Sequence, residues 1–422
     1  MRILNSLGCL LALTSPGWVT AQPSVGPTPL TLVTARRLAM ERSGERAARA
    51  ARLAGDQARA RQAGALSNPQ FAVRTERTGA DDAAANQLIA EVSQQFDLAG
   101  VAGQRRAAAT ARAIGSAASL TAARADVELE VTIAYLRAVL ADHRLALANR
   151  TLAAFDRAAA ISTERRNAGD ISGLAHRRLG LEAARVAALR AGLTLGRRTE
   201  RLRLAALVSE SGRPLRPDDW FLVDSVIPSA PVGDSLESLI ALALRDRAEL
   251  RQLESVIGAT AAEVTAERRA SLPTPAITAG LKSERVATGR QSGFVAGLSF
   301  ALPLFDRRAG AVAAATADRD EAVARLDQER RIVAREVTAT WESLQAIESQ
   351  RQALLPRLGA DAQAALGAAE VAFTEGEIGV VEWLDTIRAY SDAETMLLVL
   401  TTEAALERSR LDWAVGRFGR TP

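Results

Sequence analysis

Two periods of hydrophobic and polar positions alternate along this chain, and the alternation occurs twice. From Gln87 to Asp97, Leu88, Ala90, Val92 and Phe96 interleave with Gln87, Glu91, Ser93, Gln95 and Asp97, with Ile89 and Gln94 as lapses. About 206 residues later, Phe294, Ala296, Leu298, Phe300 and Leu302 repeat the apolar half. Period two predicts strands with one apolar and one wet face. Partner strands are expected at about 70–77 and 276–285, pairing with about 87–97 and 294–302. Gly-containing polar loops join them, at Thr78 to Asn86 and Val286 to Gly293. A transmembrane barrel strand needs this alternation because lipid and lumen lie on opposite sides. An ordinary soluble hairpin uses it too, and only the helices around the strands favour the lipid-facing reading.

Those helices are long. No Pro interrupts about Gln104 to Asn167, and roughly 60 residues at 1.5 Å each span roughly 90 Å. One apolar or small stripe runs Leu120, Val127, Val131, Ala134, Ala138, Ala141, Leu145, Ala148, Leu152, Phe155. A second runs Leu129, Ile133, Leu136, Leu140, Leu147. An offset of two positions, about 200°, puts the stripes on nearly opposite sides, so this helix packs a neighbour on each. In the second copy the first stripe returns as Val333, Val337, Thr340, Leu344, Ile347, Leu354 and Leu358. The opposed stripe there is polar or small: Arg335, Ala339, Glu342, Ala346, Ser349, Ala353. That helix is expected to be less tightly flanked, or to turn one edge to water.

Each long helix ends in a compact turn, Asn167 to Ser172 in one copy and Thr374 to Gly379 in the other. Gly169 and Gly376 can take the left-handed conformation that stops a helix. Return helices then run to about 208 and about 416. The division expected is an export signal over 1–21, a first repeat over 22–210 with its helix pair at about 104–208, and a Pro-rich irregular connector over 211–235. A second repeat over 236–418 carries its helix pair at about 309–416. Arg2, the apolar run Ile3 to Leu13, and Val19-Thr20-Ala21 form the signal, with cleavage after Ala21. Cys9, the single cysteine, falls inside it, and only eight residues precede it, too few for a lipoprotein signal. Disulfide and thiolate chemistry are thereby excluded from the mature chain.

Composition sharpens this picture in two respects. Hydrophobic residues make up 48% but aromatics only 4%, and the excess is Ala, which suits closely spaced helices. Lys plus Arg number 53 against 49 Asp plus Glu, and a net +4 over 422 residues is no nucleic-acid footprint. Candidate chemistry is sparse. No phosphate loop, HExxH, CxxC or nucleophile elbow is present. His143 occupies a slot in the second stripe and reads as a half-buried seam residue, while His176, just past a tip turn, reads as solvated. Neither has a partner at metal-ligand spacing, so no enzyme, metal site or cofactor is expected.

Leu302-Pro303-Leu304-Phe305-Asp306-Arg307 followed by Gly310, the Val92-Ser93-Gln94-Gln95 segment leading to Asp97-Leu98, and the two tip turns resemble the TolC-like outer membrane factor family, nearest its cobalt-zinc-cadmium resistance branch. The resemblance covers about 30–418. It departs at Ala99 to Arg105, where that branch has a shorter turn. The resemblance implies a mainly α fold with membrane β-strands: a homotrimer sharing a twelve-stranded β-barrel and a periplasmic α-helical barrel, in the outer membrane. It implies an exit duct for a tripartite efflux system, with a periplasmic adaptor and an inner membrane pump as partners and heavy-metal cations as cargo. Drug efflux, type I protein secretion and, remotely, a periplasmic coiled-coil adaptor are the alternatives. By the same resemblance Gly169, Asp170, Gly376 and Glu377 are adaptor-docking tips, although a plain helix cap needs the same glycines. Glu382 and Asp385, three apart on one helical face, match acidic rings at the channel constriction. Two solvated acids on an exposed coil are the other reading.

Overall fold

The computed structural model describes residues 28–78, 85–209, 220–223, 233–286, 289–358 and 360–419. The expected signal over 1–21, Cys9 with it, lies outside the described residues. In chain order the elements are β1 (Thr28–Leu30), α1 (Leu32–Arg42), α2 (Gly44–Ala63), β2 (Gln70–Thr78), β3 (Ala85–Gln95), α3 (Val101–Ala168) and α4 (Gly173–Val208). After β4 (Trp220–Leu222) come α5 (Leu236–Asp246), α6 (Ala248–Arg269), β5 (Ala276–Val286), β6 (Gly289–Ser299), α7 (Ala309–Leu358), α8 (Ala360–Glu375) and α9 (Val380–Ala414). The strands β2-β3-β5-β6 form one antiparallel sheet in that order.

Both stripes of α3 are used. Val131, Ala134 and Ala138 bury against Leu204, Val208 and Ala39 of α4 and α1, while Leu136 and Ile133 pack on Ala405 and Leu406 of α9. On α7 the first stripe is buried at Val333, Val337 and Leu344. Its opposite side is bare: Arg335, Ala339, Glu342, Ala346, Ser349 and Ala353 are all exposed. The helix α4 adds a second uncovered surface, with Leu174, Leu181, Leu195 and Leu202 exposed at heptad spacing.

Several boundaries differ from the expectation, each for a local reason. β3 occupies 85–95 rather than 87–97 because Asp97 leaves the ladder to cap α3, accepting from the Val101 and Ala102 N–H groups at 3.0 and 2.5 Å. α3 therefore starts at Val101, not 104. β6 covers 289–299 rather than 294–302, and the loop expected over 286–293 is strand on both sides, with Val286 opposite Gly289 and Lys282 opposite Gly293. The second long helix is described over Ala309–Leu358 (α7) and Ala360–Glu375 (α8), with Pro356 near the end of α7, where its ring removes a backbone donor. Part of the connector read as irregular over 211–235 is ordered: β4 pairs in parallel with β1, Thr28 opposite Trp220. Tyr135 Oη donates to the Leu30 carbonyl at 2.9 Å, and the Arg201 guanidinium lies 5.0 Å from the Trp220 ring centroid, locking this small sheet to α3 and α4. His143 is half-buried, as its seam position predicts. His176 is not solvated: half-buried, its Nδ1 lies 2.9 Å from Oγ of the buried Ser162.

Candidate functional site

Residues opposite one another in an antiparallel ladder share a face, so the register sorts the sheet into two surfaces. Phe71, Val92, Ala279 and Ala296 lie in one row, Val73, Ala90, Leu281 and Phe294 in the next, and Gln94, Ile277 and Leu298 flank them. Every Phe, Leu, Ile and Val in those rows is exposed, Leu281 at 71% and Phe294 at 84%. The other face is mainly polar and internally paired, with Ile89 and Val295 among its apolar members. Arg74 donates to Glu91, Gln87 Nε2 donates to Glu284 Oε1 at 3.0 Å, Thr278 Oγ1 donates to Ser93 Oγ at 3.2 Å, and Lys282 Nζ sits 3.3 Å from Glu284. A sheet with a dry outer face and a wet inner one is a wall segment. Four strands fall short of the roughly eight a membrane barrel requires, and β2 and β6 are left as open edges.

At about 100 Å along α3 from the sheet, the two tip turns stand side by side. Gly169 has φ 86° and Gly376 φ 85°, the left-handed region that favours glycine. The Asp170 N–H closes the first turn on the Arg165 carbonyl, and the Glu377 N–H closes the second on the Ala372 carbonyl, both at 2.8 Å. Asp170 and Glu377 are both exposed. Beneath the turns lies an apolar plug drawn from both repeats: Trp383 has its ring 5.2 Å from Phe155, edge-on, and 5.5 Å from Phe373. The packing sends Trp383 and Leu384 inward and leaves Glu382, in the first turn of α9, and Asp385, in the next, exposed.

Sequence reasoning missed the cations that tie this tip. Arg165, from the first repeat, donates to the Phe373 and Ile378 carbonyls of the second at 3.3 and 3.5 Å, with its guanidinium 5.5 Å from the Phe373 ring. Arg388 bridges Asp385 at 3.5 Å and reaches across to Glu182 on α4. Hydrogen bonds from Arg185 and then Arg388 outweigh burial and hold the Glu182 carboxyl below the usual carboxylate range. Asp385 is therefore tethered within its own chain, whereas Glu382 projects freely into solvent on the same face. Arg165 lies 213 residues from Ile378, so no local motif announces it. Among the described residues no group of three or more His, Cys, Asp or Glu could hold a metal ion, and no helix is long and apolar enough to cross a membrane.

Residues 239–417 match the family model described as outer membrane efflux protein. The second half of the chain is thus similar to the outer membrane efflux proteins. Members of this family are channels of the outer membrane that extend into the periplasm. The cobalt-zinc-cadmium resistance protein CzcC of Cupriavidus metallidurans is 24% identical over 430 residues, covering 99% of this chain and 100% of that relative. The nickel-cobalt-cadmium resistance protein NccC of Alcaligenes xylosoxydans xylosoxydans is 26% identical over 333 residues, 78% of this chain and 72% of the relative. The fold is that of the outer-membrane channel OprN, with a TM-score of 0.73 at 18% identity over 92% of this chain and 91% of that one.

Proposed function

We propose that this protein is the exit duct of a tripartite heavy-metal efflux system, working as a homotrimer. The observation that carries the reading is the two-faced, four-stranded sheet with open edges: three copies give twelve strands and close it, dry side to lipid and wet side to the lumen. The helices support the same closure. Counting back from the tip turns, Leu202 on α4 is level with about residue 343 on α7, beside exposed Glu342 and Ala346. A heptad row of Leu on one edge of the chain and a heptad row of Ala on the other are complementary knobs and holes for neighbouring copies. Cargo passes through such a duct without covalent change, so the protein acts as no enzyme. Metal cations are the cargo favoured, because the relatives that align along most of the chain are named for cobalt, zinc, cadmium and nickel resistance.

Two site assignments belong to this reading. The turns at Gly169-Asp170 and Gly376-Glu377 dock the periplasmic adaptor that links the duct to an inner membrane pump, and Cys placed at Asp170 and Glu377 crosslinks to that adaptor in cells. Three copies of Glu382, with Asp385 behind it, form an acidic ring at the narrow end; changing them to Gln and Asn lowers cation preference in planar-bilayer conductance. The test of the whole reading is export. Deleting the gene sensitises cells to zinc, cobalt and cadmium and leaves drug tolerance and protein secretion intact. Loss of drug tolerance alone assigns the duct to drug efflux, and recovery from the soluble periplasm overturns the channel.

A further inference from the structure

Pairing in β6 ends at Ser299, but the apolar alternation runs on: Leu298 is followed by Phe300, Leu302 and Leu304, all exposed. Phe305 is the most open large apolar side chain among the described residues, at 100%. It is also firmly held. Pro303 restricts its own backbone, and the Leu304 N–H closes a turn on the Leu302 carbonyl at 2.9 Å. Arg308 has φ 57°, the one non-glycine positive φ among the described residues, and its N–H donates to Asp306 Oδ1 at 2.8 Å. Its guanidinium Nε then bonds Glu267 Oε2 at 2.8 Å, pinning the segment to the end of α6. An apolar tip presented by a strained, ion-paired brace is a surface feature with an occupant.

Resting on the membrane-spanning reading above, we infer that residues 300–305 form a lipid-binding collar. Leu302, Leu304 and Phe305 enter the acyl region of the periplasmic leaflet, and exposed Arg307 meets the headgroup phosphates. Two occupants fit this segment, lipid and a second copy, because β6 is an edge strand. Lipid is favoured by continuity: Phe300 and Leu302 extend the row of Phe294 and Leu298 on the dry face, whereas a neighbour joining β6 pairs in the plane of the sheet. The collar sits where the sheet gives way to α7, at the periplasmic rim, and Arg307 lies at the depth where basic side chains meet anionic lipid.

The test uses the full-length assembled protein carrying Cys9→Ser, with nitroxide labels on Phe305→Cys, Leu302→Cys and, as a reference, Leu298→Cys. It is reconstituted in vesicles of phosphatidylethanolamine and phosphatidylglycerol. Power saturation reads access to oxygen, which concentrates in lipid, and to a polar nickel chelate, which does not. High oxygen and low nickel access at 305 and 302, as at 298, is the expected result. Nickel access at 305 and 302 with lipid-like behaviour at 298 overturns the collar alone, and shielding from both reagents assigns the segment to a second copy instead. Nickel access at 298 itself fails the membrane reading. The label at 302 gives the answer if the 305 variant does not assemble.

Discussion

The two repeats hand over from strand to helix by different devices. In the first, the Asp97 carboxylate takes the free N–H groups of α3 directly, and the helix then runs 68 residues with neighbours on both sides. In the second, a Pro-braced apolar segment separates β6 from α7, and one side of α7 is bare. The first repeat covers both sides of α3 but leaves the β2 edge and the Leu row of α4 open. The second leaves the β6 edge, the segment after it and one face of α7 open. Duplication supplied two similar walls, and in the proposed trimer the differences between them set which surfaces meet the next copy and which meet lipid.

The sharpest way to break that comparison is at the tip, where the repeats share one core. Trp383→Ala removes a ring 1% exposed that touches aromatics of both repeats, and should cost about 3–5 kcal/mol in thermal or denaturant unfolding. A cost confined to the second repeat would mean that the plug does not couple them. Next comes the sheet: Leu298→Arg should cost about 2–4 kcal/mol in refolding into vesicles, while Ser299→Asn, on the wet face, should stay within about 0.5 kcal/mol. Equal tolerance at both positions removes the lipid-facing assignment. The tip turns follow, with Gly169→Ala and Gly376→Ala each costing about 1–2 kcal/mol because both glycines hold positive φ. Open space around Gly169 makes strain its sole penalty there, so a much larger loss would show that the turn is packed against something further.

The smallest effect is the most diagnostic of how the repeats differ. Asp97→Ala should cost about 1 kcal/mol at neutral pH, as for other helix caps. The Ala102 N–H, followed by those of Val101 and Gly100, holds the Asp97 carboxyl below its ordinary value. A carboxylate whose folded pKa is depressed contributes stability that is fully present above its unfolded pKa, about 3.9. That contribution is lost as pH falls through the folded value. The difference between wild type and Asp97→Ala, followed by denaturant unfolding, should therefore be constant above about pH 5 and shrink on acidification. A difference that grows in acid contradicts the cap.

Features that need one chain's own periodicity were legible in the sequence. The period of two in β3 and β6 and the opposed heptads of α3 can be read without any partner, and so can the bare row from Arg335 to Ala353 on α7. Boundaries failed where one residue satisfies two rules. Asp97 fits the wet side of the alternation and also caps a helix, and the cap prevails because α3 begins four residues later. Gly289, Ser292 and Gly293 have the composition of a loop yet complete three ladder rows. The β1–β4 pair joins three-residue strands almost 200 positions apart, too short for any period to register. Of the candidate site, the glycines and the face shared by Glu382 and Asp385 could be found locally. Arg165, Arg388 and the His176–Ser162 contact could not, because each partner lies across a turn or in the other repeat.

If three copies close the sheet as proposed, its open edges also have a genetic consequence. A pore closed by three chains fails if any one of them fails, so when half the chains carry a defective edge, about one pore in eight is assembled wholly from sound copies. A mutation that spoils β6 without preventing its own pairing through β2 should therefore behave as dominant over the wild-type gene, whereas one that prevents both edges from pairing should be recessive, since the damaged chain never enters a pore.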